Sequence, residues 1–273
     1  MKNKILVTGS SGYIGQHLCK MLQNTEYEIH GLDMVENTNY LRKFHQVDIR
    51  KPFKLLDEYH TVIHLAALVN VGDSVLYPEE YYNTNLYGTI NTLKSVSYSN
   101  FVLASTGAAV ECKSPYGVSK RAAEDVVKSH CKDKQYTRFR FYNVIGSDGI
   151  DPTNKDGLFY NLVNAASVGS FTIFGTDYNT PDGSCIRDYV HVNEICDALI
   201  QSITRSSPDI ENLGHGIGHS VLELASKFKE VNSVDFQILY GDRREGDVEC
   251  SVLSSVSTYM NHTYTFTELL RYG

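Results

Sequence analysis

The chain alternates short, almost wholly apolar runs with longer segments whose apolar residues recur at helical spacing. The short runs predict strands, at residues 4–8, 28–33, 60–67, 100–105 and 136–143. The longer segments predict helices, at residues 15–23, 79–98, 116–130, 157–168, 192–204 and 220–230. Apolar strands separated by helices indicate a parallel sheet that is covered on both faces. The predicted fold class is therefore α/β, with a doubly wound parallel sheet of the Rossmann type.

The regular alternation ends near residue 145, and the remainder of the chain contains more loop. A chain of 273 residues can bury a sizeable core and fits one large domain or two small ones. We predict two partly interleaved domains. The Rossmann domain covers residues 1–145, and a smaller C-terminal substrate-binding lobe covers residues 146–273.

Composition narrows the possible functions. A formal net charge of −7 and a pI near 5.8 argue against a nucleic acid or an anionic membrane as partner. No apolar stretch approaches the ~18 residues that span a bilayer, and the run near the N-terminus is too short for a signal peptide. The six scattered cysteines form no C-x-x-C pair, so we expect reduced thiols and a cytoplasmic location.

Two histidines, His215 and His219, lie in the glycine-rich stretch GHGIGH. The glycines indicate a turn, and no carboxylate or thiol stands nearby in the sequence to complete a set of metal ligands. No metal site is predicted.

The first predicted strand runs into TGSSGYIG, in which Gly9, Gly12 and Gly15 lead into the first helix. Glycines at this spacing let the backbone turn tightly and approach a pyrophosphate, whose charge is stabilised by the helix N-terminus. Asp33 ends the second strand, where a carboxylate about 20 residues after the loop accepts hydrogen bonds from an adenosine ribose. An ordinary turn residue is the alternative for Asp33. Because a carboxylate repels a 2′-phosphate, the predicted cofactor is NAD rather than NADP.

The stretch SPYGVSK, at residues 114–120, places Tyr116 four residues before Lys120. Ser114 can cap a helix and Pro115 can occupy its first turn, so the stretch can be a helix start and nothing more. Residues four apart share one helical face, and Tyr116 and Lys120 would be neighbours in either case. The residues alone leave both interpretations open.

Four motifs occur in order along the first half: TGxxGxxG, HLAA at 64–67, a Ser-Thr pair at 105–106, and Tyr-x-x-x-Lys. Together they resemble the extended short-chain dehydrogenase/reductase family. Longer segments are similar to the UDP-galactose 4-epimerases within that family, at residues 71–89, 141–147, 174–192, 212–223 and 243–247. The resemblance extends from residue 4 to about residue 256 and implies a NAD-dependent epimerase that acts at C4 of a UDP-hexose.

The resemblance implies a catalytic role for three residues. Tyr116 would exchange a proton with the sugar hydroxyl beneath the nicotinamide. Lys120 would stabilise the phenolate and orient the nicotinamide ribose. Thr106 would hydrogen-bond the same substrate oxygen, and Ser105 beside it would either assist or only cap the strand.

Further cofactor contacts implied by the resemblance lie in the glycine loop and after the strands. They are Tyr13, Ile14, Asp48, Ile49, Leu65, Ala66, Ala67, Asn85 and Tyr142, in addition to the three glycines, Asp33 and Lys120. For Asp48, an exposed turn residue is the alternative.

The resemblance places the UDP-sugar in the second lobe. Arg187 and Arg244 would clamp the diphosphate, for which guanidinium forks are suited, and Asn143 would contact it as well. Phe174 would line the uridine pocket, and Asp247 would accept a hydrogen bond from the uridine ribose.

Two further expectations follow from the resemblance. Ser251 stands where a tyrosine goes with restriction to glucose and galactose, so UDP-GlcNAc and UDP-GalNAc are expected substrates as well. A homodimer is expected, in which the helices at residues 85–98 and 116–130 of each subunit form a four-helix contact.

The chain departs from the family pattern at three places. Val69 stands where lysine is frequent, and Leu158 replaces an asparagine that would donate to the diphosphate. Only nine residues separate Thr106 from Tyr116, where a longer loop is common, which indicates a more open site.

Two alternative functions remain. Dehydratases, decarboxylases and UDP-uronate epimerases of the same family are similar, but Gly107 and Ala108 supply none of the acids that dehydratases and decarboxylases place after the active-site threonine. A dinucleotide-binding protein without catalysis is the other alternative, against which the presence of both Tyr116 and Lys120 argues.

Overall fold

The structure is a computed structural model and describes residues 3–155, 157–244 and 246–272. The chain divides into two compact units. The first contains residues 1–140 and 196–211, and the second contains residues 141–195 and 212–273.

Among the described residues, the strands in chain order are β1 Lys4–Thr8, β2 Glu28–Asp33, β3 Lys43–Gln46, β4 Glu58–His64, β5 Ser97–Thr106, β6 Gln135–Phe141, β7 Asn143–Ile145, β8 Ser170–Phe174, β9 Ile186–His191, β10 Ile210–Leu213, β11 Gly218–Ser220, β12 Gln237–Gly241 and β13 Cys250–Ser251. The α-helices are α1 Tyr13–Leu22, α2 Val71–Leu76, α3 Pro78–Tyr81, α4 Gly88–Ser95, α5 Pro115–His130, α6 Leu158–Val168, α7 Val192–Gln201, α8 Val221–Asn232 and α9 Phe266–Leu269. A π-helical segment covers Tyr82–Tyr87, and a 3-10 turn covers Gly107–Ala109.

Seven strands form the central sheet, in the order β10-β6-β5-β4-β1-β2-β3. The pairs β1–β2, β1–β4, β2–β3 and β4–β5 are parallel. From the adjacent strands β1 and β4 the chain winds outward in opposite directions, which confirms the predicted doubly wound sheet. Sheets of this kind bind ligands beyond the carboxyl ends of the strands at which the direction changes, here after Thr8 and His64.

The burial of β1 explains why its sequence is apolar without alternation. Ile5, Leu6 and Val7 point to both faces of the sheet, and each is 0% exposed. On one side, Leu6 belongs to a core cluster that also contains Leu103 of β5 and Val127 of α5. A helix-covered parallel sheet is therefore the arrangement in which this sequence removes its apolar side chains from water.

Differences from the predicted strands lie mainly at their ends. The strand predicted at 60–67 begins at Glu58 and ends at His64, and the one predicted at 136–143 ends at Phe141. The sequence pattern does not predict β3, because its side chains are all partly or fully exposed and form no apolar run.

The helix predicted at 79–98 is wrong in its bounds and in its regularity. It is replaced by α3, the π-helical segment and α4, which ends at Ser95. Val96 has an extended backbone, and the next residues begin β5, in which Tyr98 packs its ring against Phe101 in the core. The helix predicted at 85–98 for a dimer contact is therefore shorter than expected. The helix predicted at 192–204 likewise ends at Gln201.

The second unit is built around β9. This strand pairs in parallel with β7 and β13 and antiparallel with β11, while β8 and β12 form a separate parallel pair. The helices α6 and α8 contribute Leu162, Leu224 and Phe228 to one core cluster with Phe171 of β8. The helices predicted at 157–168 and 220–230 correspond to α6 and α8.

The two histidines of the GHGIGH stretch each lie beside a carboxylate, contrary to the expectation from their sequence neighbours. His215 Nε2 is 2.8 Å from Glu194 Oε2, and His219 Nδ1 is 2.9 Å from Glu223 Oε1. The ring of His219 also stacks on Phe266, with centroids 3.6 Å apart. Glu194 comes from a distant part of the sequence, so only folding brings it to His215.

All six cysteines are free thiols, as expected from their scattered positions, and Cys19, Cys131, Cys185 and Cys196 are buried. Within the described ranges, no helix has the length and the apolar character needed to cross a membrane.

Candidate active site

The glycine loop follows β1 at the carboxyl edge of the sheet. Gly9 has φ +72°, and a Cβ there would lie 2.7 Å from the backbone nitrogen of Ala66. A Cβ at Gly15 would collide with the carbonyl oxygen of Gly9. Both positions therefore require glycine, because the loop packs its own backbone against α1 and against the segment that follows β4.

Asp33 connects the end of β2 to this loop. Its Oδ2 accepts a hydrogen bond from the backbone N–H of Ser11 at 3.1 Å, and its Oδ1 accepts one from Val35 at 3.1 Å. Helix α1 begins directly after Gly12, and its first turn carries no acidic residue. The first turn of α1 itself therefore carries no negative side chain, and its N-terminus suits an anion.

Asn85 shapes the segment that follows β4. Its side chain accepts from the backbone N–H of Leu68 at 2.8 Å and donates to the Leu68 carbonyl at 3.0 Å. It also donates to Ser119 Oγ at 3.0 Å, and the backbone N–H of Leu65 donates to the Thr8 carbonyl at 3.1 Å. The amide of Asn85 thus joins this segment to α5.

Asp48 and Ile49 lie after β3. Both carboxylate oxygens of Asp48 accept hydrogen bonds from the Arg50 guanidinium, at 2.9 and 3.0 Å, and this pairing lowers the pKa of Asp48. Ile49 is 5% exposed and lies close to Gly88 at the start of α4. Among the other predicted cofactor residues, Ala66 lies against Gly9, and Tyr13 and Ile14 form the first turn of α1.

Helix α5 begins as its sequence predicts. Ser114 Oγ accepts a hydrogen bond from the backbone N–H of Gly117 at 3.2 Å, and Pro115 is the first helical residue. A Cβ at Gly117 would lie 2.5 Å from the carbonyl oxygen of Ala108, so the helix start packs closely on the 3-10 turn that follows Thr106. The interpretation as a helix start is correct, and it is compatible with a chemical role for Tyr116.

Three of the predicted catalytic groups are brought together within the first unit. Tyr116 and Lys120 share one face of α5 and are 9% and 3% exposed. The side chains of Thr106 and Tyr116 are joined by a hydrogen bond. Burial raises the pKa of Tyr116, which this hydrogen bond partly opposes, and burial lowers the pKa of Lys120 to about 8.

The sequence interpretation missed two buried residues beside this group. Glu124, one turn after Lys120, is 0% exposed, and Arg140 of β6 binds both of its carboxylate oxygens. A carboxylate four residues after Lys120 is visible in the sequence, but its burial is not.

His64, the first residue of the HLAA motif, was also missed. It is 1% exposed, with Nδ1 2.8 Å from Thr8 Oγ1 and Nε2 3.1 Å from Thr89 Oγ1. Burial and, to a smaller extent, the charge of Lys120 together lower the pKa of His64 to about 3. The imidazole is therefore neutral and links β1, β4 and α4.

A second group of predicted residues comes together within the second unit. Asp247 lies between two arginines: its Oδ1 is 3.9 Å from Arg187 Nη2, and its Oδ2 accepts from Arg244 Nε at 3.0 Å. The Arg244 guanidinium also lies 4.8 Å from the ring centroid of Phe174, which is 39% exposed. The four residues form a partly solvated cationic and aromatic surface.

Strand β9 connects the remaining predicted substrate residues. Ser251 of β13 is partly buried and pairs in register with Arg187 of β9. Asn143 of β7 pairs with Tyr189 of the same strand. Tyr142, just before β7, donates its backbone N–H to the Leu213 carbonyl at 3.0 Å.

The three departures from the family pattern lie in different structural environments. Val69 is 49% exposed. Leu158 is the first residue of α6 and packs against the core cluster of the second unit, where an amide would be less favourable. The short segment between Thr106 and Tyr116 forms the 3-10 turn and then reverses at Cys112, which has φ +54°.

The NAD dependent epimerase/dehydratase family matches residues 5–214 of the chain. A UDP-glucose 4-epimerase of Yersinia pestis is 32% identical over 89% of this chain and 87% of its own length. A UDP-glucose 4-epimerase of Bacillus subtilis is 30% identical over 89% of this chain and 86% of its own length. The chain therefore belongs to the NAD dependent epimerase/dehydratase family.

Solved structures agree with this assignment. The UDP-glucose 4-epimerase from Bifidobacterium longum, in complex with NAD+ and UDP, has a TM-score of 0.84 and 25% identity, covering 98% of this chain and 96% of that one. The UDP-Glc/GlcNAc 4-epimerase from Campylobacter jejuni has a TM-score of 0.78 and 27% identity over the same fractions, 98% and 96%. The predicted Rossmann fold is thereby confirmed.

Proposed function

We propose that this protein is a NAD-dependent isomerase that reversibly converts a UDP-hexose into its 4-epimer through a 4-keto intermediate. The observation that carries the proposal is the group of Thr106 with the buried Tyr116 and Lys120, in which a phenol and an ammonium lie one helical turn apart. Similarity to UDP-glucose 4-epimerases over most of the chain supports the same reaction. UDP-glucose and UDP-galactose are the expected substrates.

The residues around the glycine loop fit NAD. Gly9 and Gly15 keep the loop against the start of α1, and Gly12, Tyr13 and Ile14 would hold the pyrophosphate there. The Asp33 carboxylate accepts two backbone hydrogen bonds and has lone pairs left for a ribose. Bound there, NAD would supply a reversible hydride acceptor for C4 of the sugar.

Other residues would complete the cofactor site. Asn85 acts indirectly, by holding the segment at Leu68, because its amide is already bonded there. The adenine would be contacted by Asp48 and Ile49, the ribose and phosphates by Leu65, Ala66 and Ala67, and the nicotinamide by Lys120 and Tyr142.

Tyr116 would take the proton of the sugar O4 hydroxyl and later return it. Burial opposes formation of the phenolate, since it raises the pKa of Tyr116. The hydrogen bond to Thr106 acts in the opposite sense. The Lys120 ammonium, one helical turn away, would stabilise the phenolate. With a pKa of about 8, Lys120 is mostly cationic at neutral pH and loses its proton under mildly alkaline conditions.

The second unit would bind the UDP portion. Arg187 and Arg244 now share the single carboxylate of Asp247, whereas a diphosphate offers each guanidinium its own anionic oxygens. Binding would therefore free Asp247 to accept a hydrogen bond from the uridine ribose. The exposed ring of Phe174 would cover the uracil, and Asn143 would donate to the diphosphate.

We further propose that UDP-GlcNAc and UDP-GalNAc are substrates, because the side chain of Ser251 is small. The similarity to a UDP-Glc/GlcNAc 4-epimerase is consistent with this wider specificity.

We propose that the first unit binds NAD and the second binds the UDP-sugar, in line with the domain division predicted at residue 145.

A homodimer would form through α4 and α5, near which the exposed side chains of Tyr87 and Val118 offer apolar surface. Light scattering at micromolar concentration should give the mass of two chains, and the mass of one chain would contradict the dimer. The free thiols agree with a cytoplasmic location.

The purified protein should be mixed with NAD and, separately, with UDP-glucose, UDP-galactose, UDP-GlcNAc and UDP-GalNAc, and the products separated by chromatography. Each sugar nucleotide should yield its 4-epimer, without added reductant and from either direction. Failure of all four to epimerise would contradict the proposal.

The variant Asp33→Ser should bind NAD more weakly and discriminate less against NADP. Equal affinity of the unmodified protein for both cofactors would contradict the role of Asp33.

A further inference from the structure

A third ionisable residue continues the catalytic face of α5. Tyr116, Lys120 and Glu124 are spaced four residues apart and are 9%, 3% and 0% exposed. Charged side chains are almost never fully buried unless partners compensate them. The proposed chemistry uses the first two residues and leaves the burial of Glu124 unexplained.

Glu124 is held from two strands of the central sheet. Arg140 of β6 donates from Nε to Oε1 at 2.8 Å and from Nη2 to Oε2 at 2.7 Å. Ser105 of β5 donates from Oγ to Oε1 at 2.6 Å. The carboxylate is therefore bound by a guanidinium fork and by a hydroxyl, which fixes its position.

Glu124 is also an electrostatic partner of Lys120. Burial lowers the pKa of Lys120, and the negative charge of Glu124 opposes that effect. His64 of β4 also interacts electrostatically with Lys120, and it is neutral because its pKa is lowered to about 3. From α3, Tyr81 packs edge-on against the Tyr116 ring. Of these neighbours, Glu124 supplies the negative charge.

The hydroxyl that binds Glu124 belongs to the residue before Thr106. Ser105 is 4% exposed and lies at the end of β5, next to the threonine whose side chain is hydrogen-bonded to Tyr116. Glu124 thus acts on Lys120 through its charge. It is linked to Thr106 through Ser105, the preceding residue of β5.

We propose that Glu124 is a positioning residue of the active site, which keeps Lys120 in its ammonium form and, through Ser105, holds the strand end that carries Thr106. Its role in turnover rests on the proposed function. Its effect on the charge of Lys120 is a property of the folded protein and can be measured without any substrate.

The first experiment follows the titration of Lys120 by NMR, with the whole protein labelled with ¹³C at lysine Cε and the Lys120 signal assigned by its loss in Lys120→Met. In Glu124→Gln, the midpoint of the Lys120 titration should fall by roughly 1 pH unit, since an opposite charge is removed. The matched control is Asp125→Asn, which removes the next carboxylate along α5, one that is 64% exposed. This control should leave the midpoint unchanged. A midpoint that stays the same in Glu124→Gln would overturn the proposal.

Glu124→Gln leaves the Arg140 charge buried beside a neutral amide and can prevent folding. The double variant Glu124→Met/Arg140→Met replaces both charges with apolar side chains of similar size, which proteins commonly tolerate. This variant lacks the carboxylate and also the Arg140 cation, which disfavours the Lys120 ammonium, so the Lys120 midpoint should fall by less than in Glu124→Gln. A midpoint above that of the unmodified protein in this folded double variant would also overturn the proposal.

The second experiment measures kcat against pH for UDP-glucose. The alkaline fall of activity should move to lower pH in Glu124→Gln. The variant Ser105→Ala should lower kcat and leave the pH of that fall unchanged, because this substitution removes a hydrogen bond and no charge. Full kcat in Ser105→Ala would overturn the link to Thr106. If the unmodified protein shows no epimerisation while the Lys120 midpoint falls in Glu124→Gln, the proposed function fails and the effect of Glu124 on Lys120 stands.

Discussion

The two groups of candidate site residues, one in each unit, differ in their exposure to water. On α5 of the first unit, Tyr116, Lys120 and Glu124 are almost fully removed from water. In the second unit, the Arg244 side chain is 50% exposed and shares the Asp247 carboxylate with Arg187. One group is fixed by helix and sheet packing, and the other consists of ion pairs at a partly solvated surface.

This difference corresponds to two kinds of chemistry. Burial strengthens electrostatic interactions and shifts pKa values, which a proton-transferring group needs. A guanidinium keeps its charge at every relevant pH and exchanges one anionic partner for another at modest cost when it is solvated. We therefore expect substitutions on α5 to change kcat and pH dependence, and substitutions around Arg244 to change KM.

The largest effect is expected for Tyr116→Phe, which deletes one hydroxyl from the buried group. Loss of the general acid and base should lower kcat by roughly 10²- to 10⁴-fold, with KM and the unfolding temperature little changed. The control is Tyr98→Phe, which removes another buried hydroxyl of the same unit, 3.4 Å from Cys131 Sγ. Near-normal turnover by Tyr116→Phe would contradict the assignment.

In the second unit, Ser251→Tyr should act on substrate choice. The larger side chain should lower kcat/KM for UDP-GlcNAc by roughly 10- to 100-fold through steric exclusion and leave UDP-glucose little affected. Ser251→Ala is the control and should keep both activities. If the unmodified enzyme ignores the N-acetyl sugars, or the tyrosine variant still converts them, Ser251 does not determine specificity.

Arg244→Met tests the solvated group directly. Loss of the Arg244 guanidinium should raise KM for UDP-glucose on the order of tenfold and leave kcat nearly unchanged. The reason is that the diphosphate is bound alike in the ground state and the transition state. The neighbouring Arg243 donates to Asp177 Oδ1 at 2.6 Å, so Arg243→Met provides a matched control with an expected normal KM. A fall in kcat alone for Arg244→Met would contradict the expectation that this group acts on KM.

The smallest effect concerns stability. The pKa of Lys120 is about 8 in the folded protein against 10.5 as the ordinary value, so between these pH values the unfolded chain binds more protons. Stability of the cofactor-free protein should therefore gain from this group as pH rises through that window, by at most roughly 1.4 kcal/mol per pH unit. Urea unfolding of the unmodified protein and of Lys120→Met at several pH values isolates the contribution. Parallel pH curves for the two proteins would contradict it.

Local sequence was sufficient for the features that depend on backbone shape and short spacing. Gly9 and Gly15 are required because a Cβ at either position would meet backbone atoms, and that requirement is visible as a glycine pattern after a strand. The spacing of Tyr116 and Lys120 implies a shared helical face, and Ser114 with Pro115 predicts where that helix begins. The apolar runs likewise predicted the sheet, because strands covered on both faces are made mostly of apolar side chains.

The tertiary structure determined which of these groups contact one another and which are buried. Arg140 lies 16 residues from Glu124 and Ser105 lies 19 residues from it, so their common cluster exists only in the folded sheet. The same holds for Asp247 between Arg187 and Arg244. The sequence determined which chemical groups this protein possesses and the local backbone that carries them. Burial and long-range pairing determined which of those groups are desolvated, and desolvation sets the charge on Lys120 and the reactivity of Tyr116.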